Sequence, residues 1–178
     1  MNKIYIIEGQ DRCGKSTAVD ILRKTITNPK ILVIHSAKPP RGVDVEQWTL
    51  DYYQSLRVTI TQLYLRGFDI ILDRSWLGET VYGPLYRNVT IPLQELELPT
   101  TFPQALLVLV DDASAIASRS DGLSMSDNID MLENERSLFK QAFNSSCVTN
   151  KELVDWSYEV YSKQNLETLI KEMINAEC

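Results

Sequence analysis

The chain reads as an α/β domain, a parallel sheet with helices on both faces, and three observations predict it. Four apolar runs, Lys3–Glu8, Ile31–His35, Phe68–Asp73 and Ala105–Val110, are continuous rather than alternating, the pattern of strands covered on both faces. Stretches of helical spacing separate the runs, as the crossovers of a parallel sheet require. The first run also leads straight into a glycine-containing turn and then a helical pattern, a strand–loop–helix unit. With 178 residues, no internal repeat, no low-complexity tract and no linker, the expectation is one domain spanning 1–178.

The elements follow in order. Lys15–Thr27 is a helix with Ala18, Val19, Ile21 and Leu22 on its apolar side. The second run is followed by the irregular stretch Ser36–Asp44, which contains Lys38-Pro39-Pro40-Arg41-Gly42. Val45–Arg66 is a longer helix stopped by Gly67. Trp76–Tyr86 is helical after the third run, and Asn88–Pro103, with Pro92, Pro99 and Pro103, is a long connector. Ala113–Ser120 and Asn128–Asn144 are helices flanking the polar stretch Ser120–Ser126. Lys151–Trp156 is a weaker fifth strand and Asn165–Ala176 the last helix. Loops leaving the carboxyl ends of parallel strands line active sites, which singles out Ser36–Asp44.

Bulk properties exclude some partners. A net charge of −6 argues against nucleic acid or an anionic membrane surface, while a small anion needs only a local cationic pocket. No apolar run is long enough to span a bilayer, and the N-terminus enters a strand at once, so a cytoplasmic protein without a leader is expected. Cys13, Cys147 and Cys178 are far apart, lack metal spacing and read as free thiols. His35, the one histidine, reads as a structural strand-end residue.

The turn after the first strand carries the chemistry. Gly9-Gln10-Asp11-Arg12-Cys13-Gly14-Lys15-Ser16 matches the phosphate-cradle signature in its required context. Gly9 and Gly14 allow the tight turn, and the loop N–H groups with the helix N-terminus suit a polyphosphate. Lys15 is placed to reach the outer phosphates, and the Ser16 hydroxyl to ligate Mg²⁺. Arg12 is a candidate for the phosphoryl group in flight. Asp11 is a candidate acceptor for a sugar hydroxyl, or a turn residue. Asp73-Arg74 ends the third strand: the carboxylate suits Mg²⁺ or a cradle hydrogen bond, and the guanidinium a second phosphate. Asp111, at the end of Leu106–Asp112, competes with Asp73 for the metal role; Asp73 is favoured by the arginine beside it. Asp112 suits a helix cap. Arg119 opens the polar stretch, a lid of approximately 119–128 that would close over ATP phosphates. Cys13, at a helix N-terminus, is either a reactive thiol or a space-filling residue.

Ile7–Thr17, which continues the cradle with Thr17, resembles the phosphate loop of thymidylate kinases, in the form that carries Asp-Arg inside the loop. Asp73-Arg74 resembles that family's third-strand motif, and Leu106–Arg119 its fourth strand and the helix leading to a lid arginine. The resemblance covers roughly the first 145 residues. It implies a three-layer P-loop kinase fold with strand order 2-3-1-4-5, and ATP- and Mg²⁺-dependent phosphorylation of a nucleoside monophosphate, dTMP above all. By that likeness the nucleotide phosphates lie over Gly9–Thr17, Asp11 meets the acceptor sugar, Arg12 serves the transferring group and Arg74 holds the acceptor phosphate. Lys38 or Arg41 stands for the family's basic residue after strand two. The sequence departs from the family at Ser75, where a tyrosine is usual, and at Gly78, where a serine is. Tyr53 falls where the base-reading arginine belongs, with Arg57 one turn further on; Tyr82 is placed to stack on a base. A deoxypyrimidine monophosphate is thus the expected partner, and a homodimer remains open.

Three rival functions remain. A deoxynucleoside kinase would need a base for its hydroxyl acceptor, and Glu8 is the candidate. An ATPase or switch would use Asp111. A silent module would bind nucleotide without turnover.

Overall fold

The computed structural model describes residues 2–92, 96–119, 125–158 and 162–176. Five strands, β1 (Ile4–Gly9), β2 (Ile31–His35), β3 (Asp69–Asp73), β4 (Gln104–Val110) and β5 (Asn150–Asp155), form one sheet in the order β2-β3-β1-β4-β5. Every pairing is parallel. The helices are α1 (Lys15–Thr25), α2 (Val45–Leu65), α3 (Trp76–Tyr82), α4 (Ala113–Ser118), α5 (Ile129–Ser145) and α6 (Lys163–Asn175). The lid stretch 120–124 and Cys178 lie outside the described residues. No described helix is long and apolar enough to cross a membrane.

The continuous apolar runs have the expected cause. Successive strand residues face opposite layers. Ile4, Ile6, Ile70, Leu72, Leu106 and Val108 join a core with α2, α3 and α5. Tyr5, Ile7, Ile71, Leu107 and Leu109 join a second core, built with α1 and α6. α5 straddles both, with Phe139 in the first and Leu132 in the second.

Helix starts are set by short polar side chains. The carboxylate or carbonyl oxygens of Asp44, Asp112 and Asn128 and the hydroxyls of Ser75 and Ser162 accept first-turn N–H groups of α2, α4, α5, α3 and α6 respectively. α1 differs: it starts from Gly14 at φ 93, and no described side chain caps it. Its first-turn N–H groups therefore remain available.

The expected helix Trp76–Tyr86 is two elements. α3 ends at Tyr82 and passes into a π-helical turn, Gly83–Arg87, with Pro84 in its first turn and Asn88 in the left-handed region at φ 53. Pro84 lacks an N–H, so the α-helical ladder cannot continue through it. Other expected boundaries hold within a few residues.

At the end of β5, Asp155 accepts from Arg136 Nη2 at 2.9 and 2.8 Å and lies 2.6 Å from Lys140 Nζ, tying α5 to the sheet. Burial works against its charge, but the bonds from Lys140 and Arg136 outweigh it and hold Asp155 at about 2.

Two outcomes are expected. Phe139 is fully buried, with its ring edge-on to Tyr82 at 5.7 Å, so Phe139→Ala should cost about 3–5 kcal/mol in urea unfolding. Asp155 has a lowered folded pKa, so its stabilisation is full above the unfolded 3.8 and is lost as pH falls to about 2. The stability gap between wild type and Asp155→Asn should narrow across that window.

Candidate active site

The site is built at the carboxyl end of β1. Gly9 sits at φ 131, and a Cβ there would lie 1.9 Å from the Leu109 carbonyl oxygen, so only glycine lets the chain leave β1 against β4. Gln10 is buried and stitches three elements together. Its backbone N–H donates to Leu109 O at 3.0 Å, its Nε2 donates to Leu132 O at 2.7 Å, and its Oε1 accepts from the Asp111 N–H at 3.1 Å. Trp156 Nε1 donates to the Cys13 carbonyl at 3.1 Å, pinning the other side of the loop.

Lys15 lies within this turn. Its Nζ donates to the carbonyls of Gly9 (2.9 Å) and Gln10 (2.6 Å) and stands 3.6 Å from Asp11 Oδ1. Burial lowers its pKa, reinforced by Arg74. The cradle thus holds a cation beside the uncapped N-terminus of α1, where Ser16 is exposed. This is the arrangement that receives a polyphosphate.

Both outer arginines are engaged. Arg12, at φ 64, donates from Nη1 to Ile116 O at 2.9 Å and pairs through Nη2 with Asp127 Oδ1 at 2.6 Å. It is therefore fixed across the loop toward α4 and the start of α5. Arg119 pairs with Asp111 at the end of β4. His35 Nδ1 lies 2.8 Å from Asp73 Oδ2. Asp73 and Asp111 thus both hold other partners, and among the described residues no group of three or more His, Cys, Asp or Glu side chains clusters as a metal site. Cys13 is fully buried and burial pushes its thiol up to about 12, which makes it a space-filling residue and not a reactive one.

Beside the cradle lies a cleft enclosing about 630 Å³, open solvent included. Asp11, Lys38, Tyr53, Arg74 and Tyr82 all line it, so the structure brings these sequence-derived candidates together. Arg74, at φ 68, forms an ion pair with Asp11, and its guanidinium lies 5.6 Å from the Tyr82 ring centre. Burial raises Asp11, but Lys15 and Arg74 outweigh it and hold the carboxylate below its ordinary value. Tyr53 donates to Ser75 O at 2.9 Å.

Two expected residues are elsewhere. Arg41 is exposed and does not line the cleft. Arg57 donates from Nη2 to Glu97 O at 2.8 Å, also away from the lining. Instead the cleft receives Glu79 and Arg87, an ion pair that spans α3 and the π-helical turn. Their spacing in the distinctive stretch Glu79–Arg87 was the available signal. It went unread because side chains eight apart on a regular helix stand about 12 Å apart along its axis, out of contact.

Glu8 is sealed beneath this cleft. It is fully buried and accepts from the Ser75 N–H, from Ser75 Oγ at 3.0 Å and from the Gly78 N–H at 3.1 Å. Burial raises its pKa, against the lowering pull of Arg74 and the Ser75 N–H. Here the two departures at Ser75 and Gly78 gain a reason, since one solvates the carboxylate and the other makes room for it.

The parallel 2-3-1-4-5 sheet, the layers on both faces and the cradle define a P-loop nucleotide kinase fold of the thymidylate kinase kind. The thymidylate kinase of Candida albicans superposes with a TM-score of 0.72 over 97% of this chain and 91% of that one, at 19% identity. The YorR protein of Bacillus subtilis, solved with phosphorylated GDP, gives 0.65 over 98% and 99%, at 14% identity. The deoxyadenosine kinase of M. mycoides, solved with dCTP, gives 0.57 over 97% and 100%, at 12% identity. No protein-family model matches the sequence, and no curated protein matches it. At these identities the likeness establishes the fold.

The Gly78 contact is testable. A Cβ there would sit 3.1 Å from Glu8 Oε1 and 3.2 Å from Oε2, the first held by the Ser75 and Gly78 N–H groups and the second by the Gly9 N–H at 3.3 Å. Gly78→Ser should therefore destabilise the protein by about 1–3 kcal/mol, read as a lower urea midpoint.

Proposed function

We propose that this chain transfers the terminal phosphoryl group of ATP to a nucleoside monophosphate. One observation carries the reading: a cleft bearing Lys38 and Arg74 adjoins a phosphate cradle centred on Lys15, so two anions are received side by side at the carboxyl ends of the strands.

ATP phosphates lie over Gly9–Thr17, with the loop N–H groups and Lys15 as donors. The site's donors, the Ser16 hydroxyl and nearby carboxylates, are hard oxygens, which suits Mg²⁺ held together with the phosphates; bound there, the ion would neutralise charge on them. Arg74 and Lys38 grip the acceptor phosphate. Asp11 keeps Arg74 extended toward it and also orients Lys15. Arg12 and Arg119 face the equatorial oxygens of the transferring group. No proton need be removed, because an acceptor phosphate oxygen is already anionic. Catalysis is then positioning and electrostatic stabilisation.

The burial of Glu8 favours this reading over a hydroxyl acceptor. A general base must reach the proton it removes. Glu8 is closed off by Ser75 and Gly78 and does not line the cleft. Two structural neighbours hold nucleotides, which supports a nucleotide ligand here. dTMP is the acceptor that the sequence resemblance implies and belongs in the first panel tested.

Coupled ADP release with Mg²⁺-ATP decides the matter. Monophosphates should accelerate turnover and nucleosides should not; acceleration by nucleosides alone, or equal turnover without an acceptor, would overturn the proposal. Lys15→Ala should lower kcat by ~10²–10³, the scale of losing one preorganised donor. Arg74→Ala should raise KM for the monophosphate while leaving ATP affinity, read by calorimetry, unchanged.

A further inference from the structure

Two walls of the acceptor cleft meet at a hydroxyl that gripping a phosphate does not require. The π-helical turn follows Tyr82 and carries Tyr86, and the two rings lie 6.0 Å apart. Tyr82 lines the cleft, and so does Met125, the residue before Ser126. The Tyr86 hydroxyl donates to Glu135 Oε1 on α5. The Ser126 side chain hydrogen-bonds the same hydroxyl, and Ser126 Oγ accepts from the Asn128 N–H at 3.0 Å. Tyr86 thus joins three pieces of chain: the turn, α5 and the segment 125–127.

Glu135 makes this junction firm. It is 2% exposed, a buried carboxyl group that the proposed transfer does not use. Burial raises its pKa, and the bond from Tyr86 is the foremost of the interactions that oppose the rise. A buried acceptor holds its donor, because losing the donor leaves the acceptor's desolvation uncompensated. The Tyr86 hydroxyl is therefore kept in one place and offers Ser126 a fixed anchor.

The anchored segment in turn holds Arg12. Ser126 O accepts from Arg12 Nη2 at 3.4 Å, and Asp127 Oδ1 pairs with the same nitrogen at 2.6 Å. A further bond runs from Nη1 to Ile116 O on α4. One side of the Arg12 guanidinium is thus set by the segment that Tyr86 ties down. An arginine serves a transferring phosphoryl group only where its fork meets the developing charge, and a displacement of about 1 Å can cost ~10²-fold.

We propose that Tyr86 is a positioning residue for phosphoryl transfer: its hydroxyl anchors residues 125–127 on α5 and, through them, fixes Arg12. This rests on the nucleoside monophosphate reading above and on the place that reading gives Arg12. Tyr86 does not itself line the cleft, so its action runs through Arg12 and not through contact with the acceptor.

The test is a double-mutant cycle in the full chain, with Mg²⁺-ATP and whichever monophosphate the wild type uses best. Tyr86→Phe removes only the hydroxyl. It should lower kcat by ~10-fold or more and change KM for either nucleotide by less than roughly threefold, the split expected when a transition-state contact is displaced. Arg12→Ala should lower kcat at least as much. In the Arg12→Ala background, Tyr86→Phe should cost less than roughly threefold, because its route of action is gone. Losses that multiply, a loss confined to KM, or a wild-type kcat in Tyr86→Phe would each overturn the proposal and leave the monophosphate reading intact. An unchanged kcat in Arg12→Ala overturns it too, and takes Arg12 out of the transfer. If Tyr86→Phe does not fold, Ser126→Ala cuts the same link at a partly exposed residue and takes its place with the same expectations. If the wild type phosphorylates no monophosphate, the functional reading fails and this proposal fails with it.

Discussion

Four consecutive residues, Glu8 to Asp11, join every layer of this molecule to its site, and the constraint that governs them is the burial of Glu8. A carboxylate with no exposure needs donors, or its desolvation defeats the fold. It obtains them from the first turn of α3, through Ser75 and Gly78, which locks the end of β1 to the helix after β3. That lock leaves Arg74 the left-handed residue between β3 and α3, bonded through its N–H to Ile7 O at 3.0 Å, with its side chain turned to Asp11. Gly9 meanwhile presses β1 on β4, and Gln10 reaches α5. The positions of the cradle and of Arg74 thus follow from one buried carboxyl group and one missing Cβ.

The charges around the cradle form an alternating chain. Lys15 contacts Asp11, and Asp11 contacts Arg74, whose guanidinium lies over the Tyr82 ring. Lys15 is weakened as a cation by burial and by Arg74, and Asp11 sits between the two to offset that. Without Asp11, the buried Lys15 ammonium and the half-buried Arg74 guanidinium would repel each other with no carboxylate between them. The carboxylate therefore keeps both positive groups in place before any ligand supplies negative charge of its own.

The fold was legible in the sequence because its signals are local and redundant. Continuous apolar runs, helical spacings and the cradle each pointed to a parallel sheet, and the runs fall on the strands observed. The strand order was carried by the resemblance and not by periodicity, since a strand's neighbour is a tertiary fact. At the site, Asp11, Lys38, Tyr53, Arg74 and Tyr82 were legible because they lie in the motif, next to a strand end or in register with it. Arg57 was misplaced because helix spacing alone does not say which face a side chain turns to the cleft. The role of Gly78 was hidden for a different reason: its value lies in a contact with Glu8, seventy residues away in the chain. Glu79 and Arg87 were missed because a π-helical turn shifts the phase of every residue after it.

The two arginines expected at the transferring phosphoryl group show how such a site can be charged and still stable. Arg12 rests on Asp127, whose side chain is 51% exposed, and Arg119, 36% exposed, rests on Asp111. Arg12 itself is 7% exposed and also donates to the carbonyls of Ile116 and Ser126, so only its carboxylate partner is well solvated. Arg74 differs in its surroundings: besides the ion pair with Asp11, its guanidinium lies over the Tyr82 ring. Each of the three arginines is thus held by a carboxylate of this chain, which balances its charge within the folded protein.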